Sequence, residues 1–201
     1  NDFRRRLLYS EGVDKAFKRH ERSLRLIFDK LTRLGGQSVA AGIANTMVNM
    51  DAWKEFVHRF DLLDNDLTDR HVTLAFVWSK MKVIDGDSGK TRVKLTHMTF
   101  EDWTEGIARL AAHKSLPTDE ELTAARSPCA GIHLRRMKEE MPEEYSGLIN
   151  SRARPWGSDP VLRFDHCVEH MCSILVVTAQ KGKGDHVVLT EKELANFMGI
   201  D

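Results

Sequence analysis

The chain has no surplus of charge. Its 201 residues carry 30 Lys and Arg against 30 Asp and Glu, a formal net charge of zero. That balance gives no general attraction to nucleic acid or to an anionic membrane surface, and no nucleic-acid partner is expected. Cysteine is sparse: Cys129, Cys167 and Cys172. An odd count of three excludes a fully paired disulfide scaffold and fits a reducing, cytoplasmic setting. No apolar run approaches the roughly 20 residues needed to span a bilayer, so no direct membrane insertion is expected. No signal-peptide pattern opens the chain. It begins at Asn1 rather than Met, which suggests a piece of a longer protein. Proline is missing from the first 116 residues. All five prolines, Pro117, Pro128, Pro142, Pro155 and Pro160, fall within one short stretch.

What is present is a repeat. Residues 24–60 recur at 74–110 with a constant offset of fifty and no gap. Leu24, Lys30, Gly36, Thr46, Trp53, Glu55 and Arg59 return as Leu74, Lys80, Gly86, Thr96, Trp103, Glu105 and Arg109, where composition alone would give roughly two identities. Each copy reads as helix, long loop, helix. Leu24, Ile27, Phe28 and Leu31 fall at i, i+3, i+4 and i+7, and so do Leu74, Val77, Trp78 and Met81. The exiting helices carry Met50, Trp53, Val57, Phe60 and Phe100, Trp103, Ile107, Leu110. Thr68 and Thr99 are suited to N-cap the helices that follow them. The segment from about Asp14 extends the first helix toward the N-terminus. One unit cannot bury its stripe alone, so the two are expected to pack on each other.

The stretch from 117 to 160 differs in kind. Its prolines and the charged runs at Asp119–Glu121 and Glu139–Glu140 suggest an extended arm with one short helix near His133 to Lys138. From Val161 periodicity returns. Phe164, Val168, Met171 and Leu175 mark a helix ending near Val176–Thr178, and Thr190 to Met198 mark another across the Lys181–Gly184 loop. This reads as a third, weaker helix–loop–helix. The expected organisation is a paired unit with an N-terminal helix extension over 1–116, an arm over 117–160, and the third unit over 161–201.

Paired helix–loop–helix units with an aromatic early in the exiting helix resemble EF-hands. A calcium loop needs oxygen ligands at its positions 1, 3, 5 and 12 and glycine at 6. The loop from Thr32 to Asn49 has no Asp or Glu. In the second loop, Asp85 and Asp87 are followed by Lys90 at the sixth position and Thr96 at the twelfth, and the third offers only Asp185 beside Lys181 and Lys183. The expectation is an EF-hand-like fold without calcium ligands. The segment Phe56 to Leu110, containing FVHRFDLLDNDLTDRHVTLAFVWSKMK and MTFEDWTEGIARLA, is more specifically similar to the tubulin polymerisation-promoting protein family and related ciliary EF-hand-like proteins. The likeness lies in an apolar helix end, a short linker with Asp, a Thr opening the next helix, the Trp78–Ser79–Lys80 helix, and a later aromatic helix ending at Leu110–Ala111. It covers about a quarter of the chain. It implies a microtubule-associated or axonemal scaffold in the cilium or flagellum, with tubulin or other axonemal proteins as partners. It carries no tubulin-contact residue onto this chain.

The segments that look chemical are weak. Ile84 to Thr91 ends in Ser-Gly-Lys-Thr like a phosphate-binding loop, but Ile84 stands where that motif needs glycine, and a helix rather than a strand precedes it. Gly86 to Gly89 echoes a protease nucleophile segment without the rest of that fold. His166 and His170, at i and i+4, share a helix face as zinc ligands do, but a third ligand would have to come from elsewhere. The better reading of that helix is surface histidines and buried cysteines. Trp53 and Trp103 read as core anchors. Eight cations within residues 4–25 could meet an acidic partner, but a solvated helix face is the better reading of them. No catalytic, cofactor-binding or metal-binding residue is assigned, and no cofactor is expected. The sequence therefore points to an all-α, non-enzymatic scaffold that binds protein partners in a large assembly. A calcium-responsive regulator and an accessory subunit of an organellar membrane complex are the alternatives.

Overall fold

The computed structural model describes residues 2–34, 46–80, 95–181 and 188–199. The fold is all-α, with a single two-stranded bridge among the described residues. A wide turn of helix at Arg4–Leu8 leads into α1, Glu11–Leu34. On α1, Val13, Ala16, His20, Ser23, Leu24, Ile27, Phe28 and Leu31 are buried, one stripe repeating every three or four residues. Glu11 and Asp14 in the first turn and Arg33 in the last complement the helix dipole.

Strand β1, Val48–Asn49, runs directly into α2, Met50–Arg59, and β2, His97–Met98, leads within one residue into α4, Phe100–His113. Between them lies α3, Asp69–Ser79. Helices α2 and α4 thus begin fifty residues apart, as the repeat requires. Asn49 Oδ1 accepts from Ala52 N at 2.8 Å, and Thr99 Oγ1 accepts from Asp102 N at 3.2 Å. Each cap satisfies a backbone donor that the first helical turn leaves free. The strands pair antiparallel, with Val48 opposite Met98 and Asn49 opposite His97. Beneath them Phe28, Trp53, Phe56, Phe60, Phe100 and Trp103 form one tilted and edge-to-face aromatic cluster, with neighbouring ring centroids 4.9–6.1 Å apart. Rings so placed gain about 0.5–1.5 kcal/mol per pair beyond their burial.

Helix α3 departs from the expected stripe. Val77 and Trp78 are 53% and 55% exposed, and the face turned inward is Val72, Ala75, Phe76 and Ser79. Both phases satisfy helical spacing. The buried phase places Phe76, rather than the larger Trp78, inside. Phe28, which the repeat aligns with Trp78, is buried, so the two copies differ here.

The 117–160 stretch is not an extended arm. It folds into α5, Asp119–Ala124, α6, Ala130–Glu140, and α7, Pro142–Arg152. The prolines punctuate these helices rather than prevent them. Pro117 precedes the Thr118 N-cap, Pro128 precedes the Cys129 N-cap, and Pro142 occupies a first helical position, where its missing N–H costs nothing. Thr118 and Glu121 form a reciprocal capping box at 2.7 and 3.1 Å. The Glu139–Glu140 run pairs back along α6 to Arg135 and Arg136. Helix α8, Phe164–Ala179, packs against α1, α4 and α6, and α9, Glu191–Met198, begins at a Thr190–Glu193 capping box. Leu189 N donates to Ser23 Oγ, which fixes the entry of α9 to α1. The three expected segments do not have separate cores: Leu24, Trp103, Leu134, Val168 and Leu194 belong to one buried cluster.

Candidate functional site

A cleft of about 210 Å³ opens where the α2–α3 linker meets α6, α7 and α8. Phe60, Leu62, Leu134 and Ile174 give it an apolar lining. Its charged wall is internally neutralised: Lys138 Nζ lies 2.6 Å from Asp61 Oδ2, and Arg135 Nε donates to Glu139 Oε1 at 2.8 Å. Below the cleft Lys114 is 3% exposed and donates to the Leu62 carbonyl, Asp64 Oδ2 and Asp66 Oδ1 at 3.0–3.1 Å. Asp66 also accepts from Ser115 N, and Tyr145 Oη donates to Asp64 at 2.6 Å. Burial, then the hydrogen bond to Asp64 and the neighbouring carboxylates, pushes the Tyr145 phenol pKa up. All three Lys114 protons are used, so this ammonium is a strut between the linker and the end of α4. The cleft offers apolar surface beside a paired charged wall.

A second cavity of about 210 Å³ lies between the N-terminal turn and the end of α4, bordered by Phe3, Leu7, Arg109, His113 and Trp156. Arg4 and Arg109 share Glu105, which holds that turn in place: Arg4 Nε donates to Oε2 at 2.7 Å and Arg109 Nη2 to Oε1 at 2.7 Å. His113 stacks on Trp156 with centroids 4.7 Å apart. Burial, then the positive charge of His71 and Arg109, lowers the His113 pKa to about 4.

On α8, His166 and His170 face the first residue of α5. Asp119 Oδ2 is 2.8 Å from His166 Nδ1, and Asp119 Oδ1 is 3.6 Å from His170 Nε2. His170 is not a surface histidine. It is buried, its Nε2 has no hydrogen-bond partner, and burial is the chief cause lowering its pKa. Glu169, which also acts electrostatically on His170, ion-pairs with His20 at 2.8 Å and Arg19 at 2.8 Å, joining α8 to α1. Cys167 and Cys172 are buried; burial pushes the Cys167 thiol up to about 12 and also raises that of Cys172. Among the described residues no group of three or more His, Cys, Asp or Glu side chains could hold a metal ion.

The remaining sequence features divide cleanly. Trp53 and Trp103 are fully buried. Of the eight N-terminal cations, Arg4, Arg6, Lys15, Lys18, Arg19 and Arg25 are engaged in ion pairs within the chain, and Arg5 and Arg22 have none among the described residues. A mostly self-neutralised helix face is what this region presents. The Ile84 to Thr91 segment, Gly36, Lys183 and Asp185 lie outside the described residues. Sequence reasoning missed Asp119 as a neighbour of His166 and His170. Its signal was the Thr118-x-x-Glu121 capping box, which places Asp119 at a helix start.

Compared with family models, curated proteins and solved structures, the chain matches none. No described helix is long and apolar enough to cross a membrane.

Proposed function

We propose that the chain is a non-enzymatic structural protein, a microtubule-associated scaffold of the ciliary or flagellar axoneme that works by docking to protein partners. The observation that carries this reading is the pairing of Val48 with Met98. It brings the two copies of the repeat together through equivalent positions, which supports a paired reading of the two units. The same unit presents Val77 and Trp78 outward, with Leu95 also exposed and its carbonyl held by Lys80 Nζ. An exposed Trp beside apolar neighbours is a common anchor of protein interfaces. The self-neutralised cations of α1 favour such apolar docking over attraction by net charge.

Co-sedimentation of the purified chain with microtubules, with calcium and with chelator, tests the reading. Saturable binding indifferent to calcium is expected, and Trp78→Ala is expected to weaken it by at least about tenfold, the size of a moderate interface anchor. Absence of binding in both conditions would rule out the microtubule partner. Binding that switches with calcium would replace the scaffold reading with a sensor.

A further inference from the structure

We propose that the cleft between the α2–α3 linker and α6, α7 and α8 binds a small amphiphilic anion, a single ring or short apolar chain whose carboxylate is held at the rim by Lys181. The cleft has an apolar floor of Phe60, Leu62, Leu134 and Ile174 and a volume of about 210 Å³. An apolar cavity of about 150 Å³ admits benzene, and drug-sized ligands need about 300 Å³ or more. The space therefore suits one ring or one short chain, with the polar end left at the opening.

Charge decides the head group. Lys138 and Arg135 are matched by Asp61 and Glu139 on the same wall. Lys114 is paired below it. Lys181 lines the cleft just past the end of α8, and among the described residues its ammonium has no ion pair or hydrogen bond. Thr178, three residues earlier, also lines the cleft, and its hydroxyl is likewise without a partner there. Together they offer a carboxylate an ammonium for its charge and a hydroxyl donor beside it. Helix carbonyl ends reach the same rim and act against an anion. Their terminal oxygens are partly taken, since Asp61 N donates to His58 O and Lys181 N to Thr178 O. The full charge of Lys181 exceeds the roughly half charge at the end of α8.

The backbone at this rim points the same way. Asp61 and Lys181 have φ of 53° and 50°, two of the three positive values among the described non-glycine residues, and both line this cleft. Each follows a helix end, where glycine takes the left-handed conformation without steric cost. Side chains kept in that conformation gather at ligand clamps. Asp61 is accounted for by its ion pair with Lys138 at 2.6 Å. No described residue uses the Lys181 side chain.

The test is titration of sodium octanoate into the full chain, followed by methyl NMR and calorimetry. Saturable one-to-one binding is expected, with a dissociation constant of about 0.1–1 mM for so few heavy atoms. The largest methyl shifts should fall on Leu134 and Ile174. Octylammonium, with the same chain and the opposite charge, should bind at least about tenfold more weakly. Lys181→Gly relieves the left-handed backbone and removes the ammonium. It should keep or raise the melting temperature while weakening octanoate at least about fivefold, so lost binding cannot be mistaken for a lost fold. Lys181→Arg should keep the affinity within about threefold, because the charge stays. Thr178→Val, close in shape, should weaken binding about two- to tenfold. Failure to saturate, equal affinity for octylammonium, or octanoate binding unchanged by Lys181→Gly would each overturn the proposal.

Discussion

Val48 faces Met98 across the antiparallel bridge, and the two are separated by the period of the sequence repeat, fifty residues. An antiparallel pair that joins equivalent positions relates its two copies by a local two-fold. The next pair agrees, since Asn49 opposes His97 rather than the residue fifty positions on. From this contact the exiting helices α2 and α4 diverge with matching caps and matching tryptophans. Both facing side chains are fully buried, so the bridge is also a packing contact. Met98→Ala should cost about 2–5 kcal/mol. In a double-mutant cycle with Val48→Ala, a coupling of at least about 0.5 kcal/mol is expected from urea unfolding, because residues in contact are not additive. Additive costs would sink the claim that the two side chains support each other.

The repeat makes Trp53 and Trp103 equivalent, and their surroundings separate them. Trp53 Nε1 donates to the Val72 carbonyl at 2.9 Å, whereas Trp103 Nε1 is buried with no partner. Replacement by Phe removes similar volume at both sites. At position 53 it also removes a made hydrogen bond, while at 103 it removes an unmade one. Trp53→Phe should therefore destabilise the fold by about 1 kcal/mol more than Trp103→Phe, judged by denaturant midpoints at unchanged slope. Equal losses would contradict the assigned hydrogen bond.

How much of this was legible depended on which force decided each element. Helix α1 and the exiting helices were readable because their apolar periods have one dominant phase and good caps follow or precede them. Helix α3 misled because two phases are apolar, Val72–Ala75–Phe76 and Leu74–Val77–Trp78, and neighbouring packing, absent from local pattern, chose between them. The region from Pro117 to Pro160 misled because prolines were read as breakers when they stand at helix starts. Capping signals at Thr118 and Pro142 were present there and were outweighed by composition. At the histidine cluster, the i, i+4 spacing was visible, but the proximity of Asp119 arises from tertiary packing 47 residues away in the chain.

Two glycines on adjacent helices should respond to alanine with opposite signs. A Cβ at Gly131 on α6 would stand 2.6 Å from the Ser173 carbonyl oxygen and 3.0 Å from Val177 Cβ on α8, while its amide donates to Ser173 Oγ at 3.1 Å. Backbone cannot yield as a side-chain tip can. Gly131→Ala should destabilise by about 1–3 kcal/mol despite the better helix propensity of alanine. Gly147 on α7 has nothing within 4 Å of its added Cβ. There propensity acts alone, and Gly147→Ala should stabilise by up to about 1 kcal/mol. Thermal unfolding of the two variants side by side checks both signs. A stabilising Gly131→Ala would mean that α6 does not cross α8 at this glycine.

His113 ties the stability of the fold to pH. Its pKa falls from the ordinary 6.5 to about 4, first through burial and then through the positive charge of His71 and Arg109. Below pH 6.5 the unfolded chain takes up a proton at this position, and the folded chain does not until about pH 4. The neutral ring is the form the fold favours, so its full contribution is present at neutral pH and declines as the pH falls from 6.5 to 4. At about 1.4 kcal/mol per pKa unit, the loss between pH 7 and 4.5 is about 2 kcal/mol from this residue. His71, His133 and His170 are also lowered by burial and add slopes of the same sign, so the test must isolate position 113. His113→Phe retains a ring against Trp156 and removes the titrating group. Its unfolding free energy should fall by about 2 kcal/mol less than that of the parent between pH 7 and pH 4.5. Parallel pH profiles for the two proteins would show that His113 can take up its proton without leaving the stack, and that the acid sensitivity resides in the other histidines or in the carboxylates.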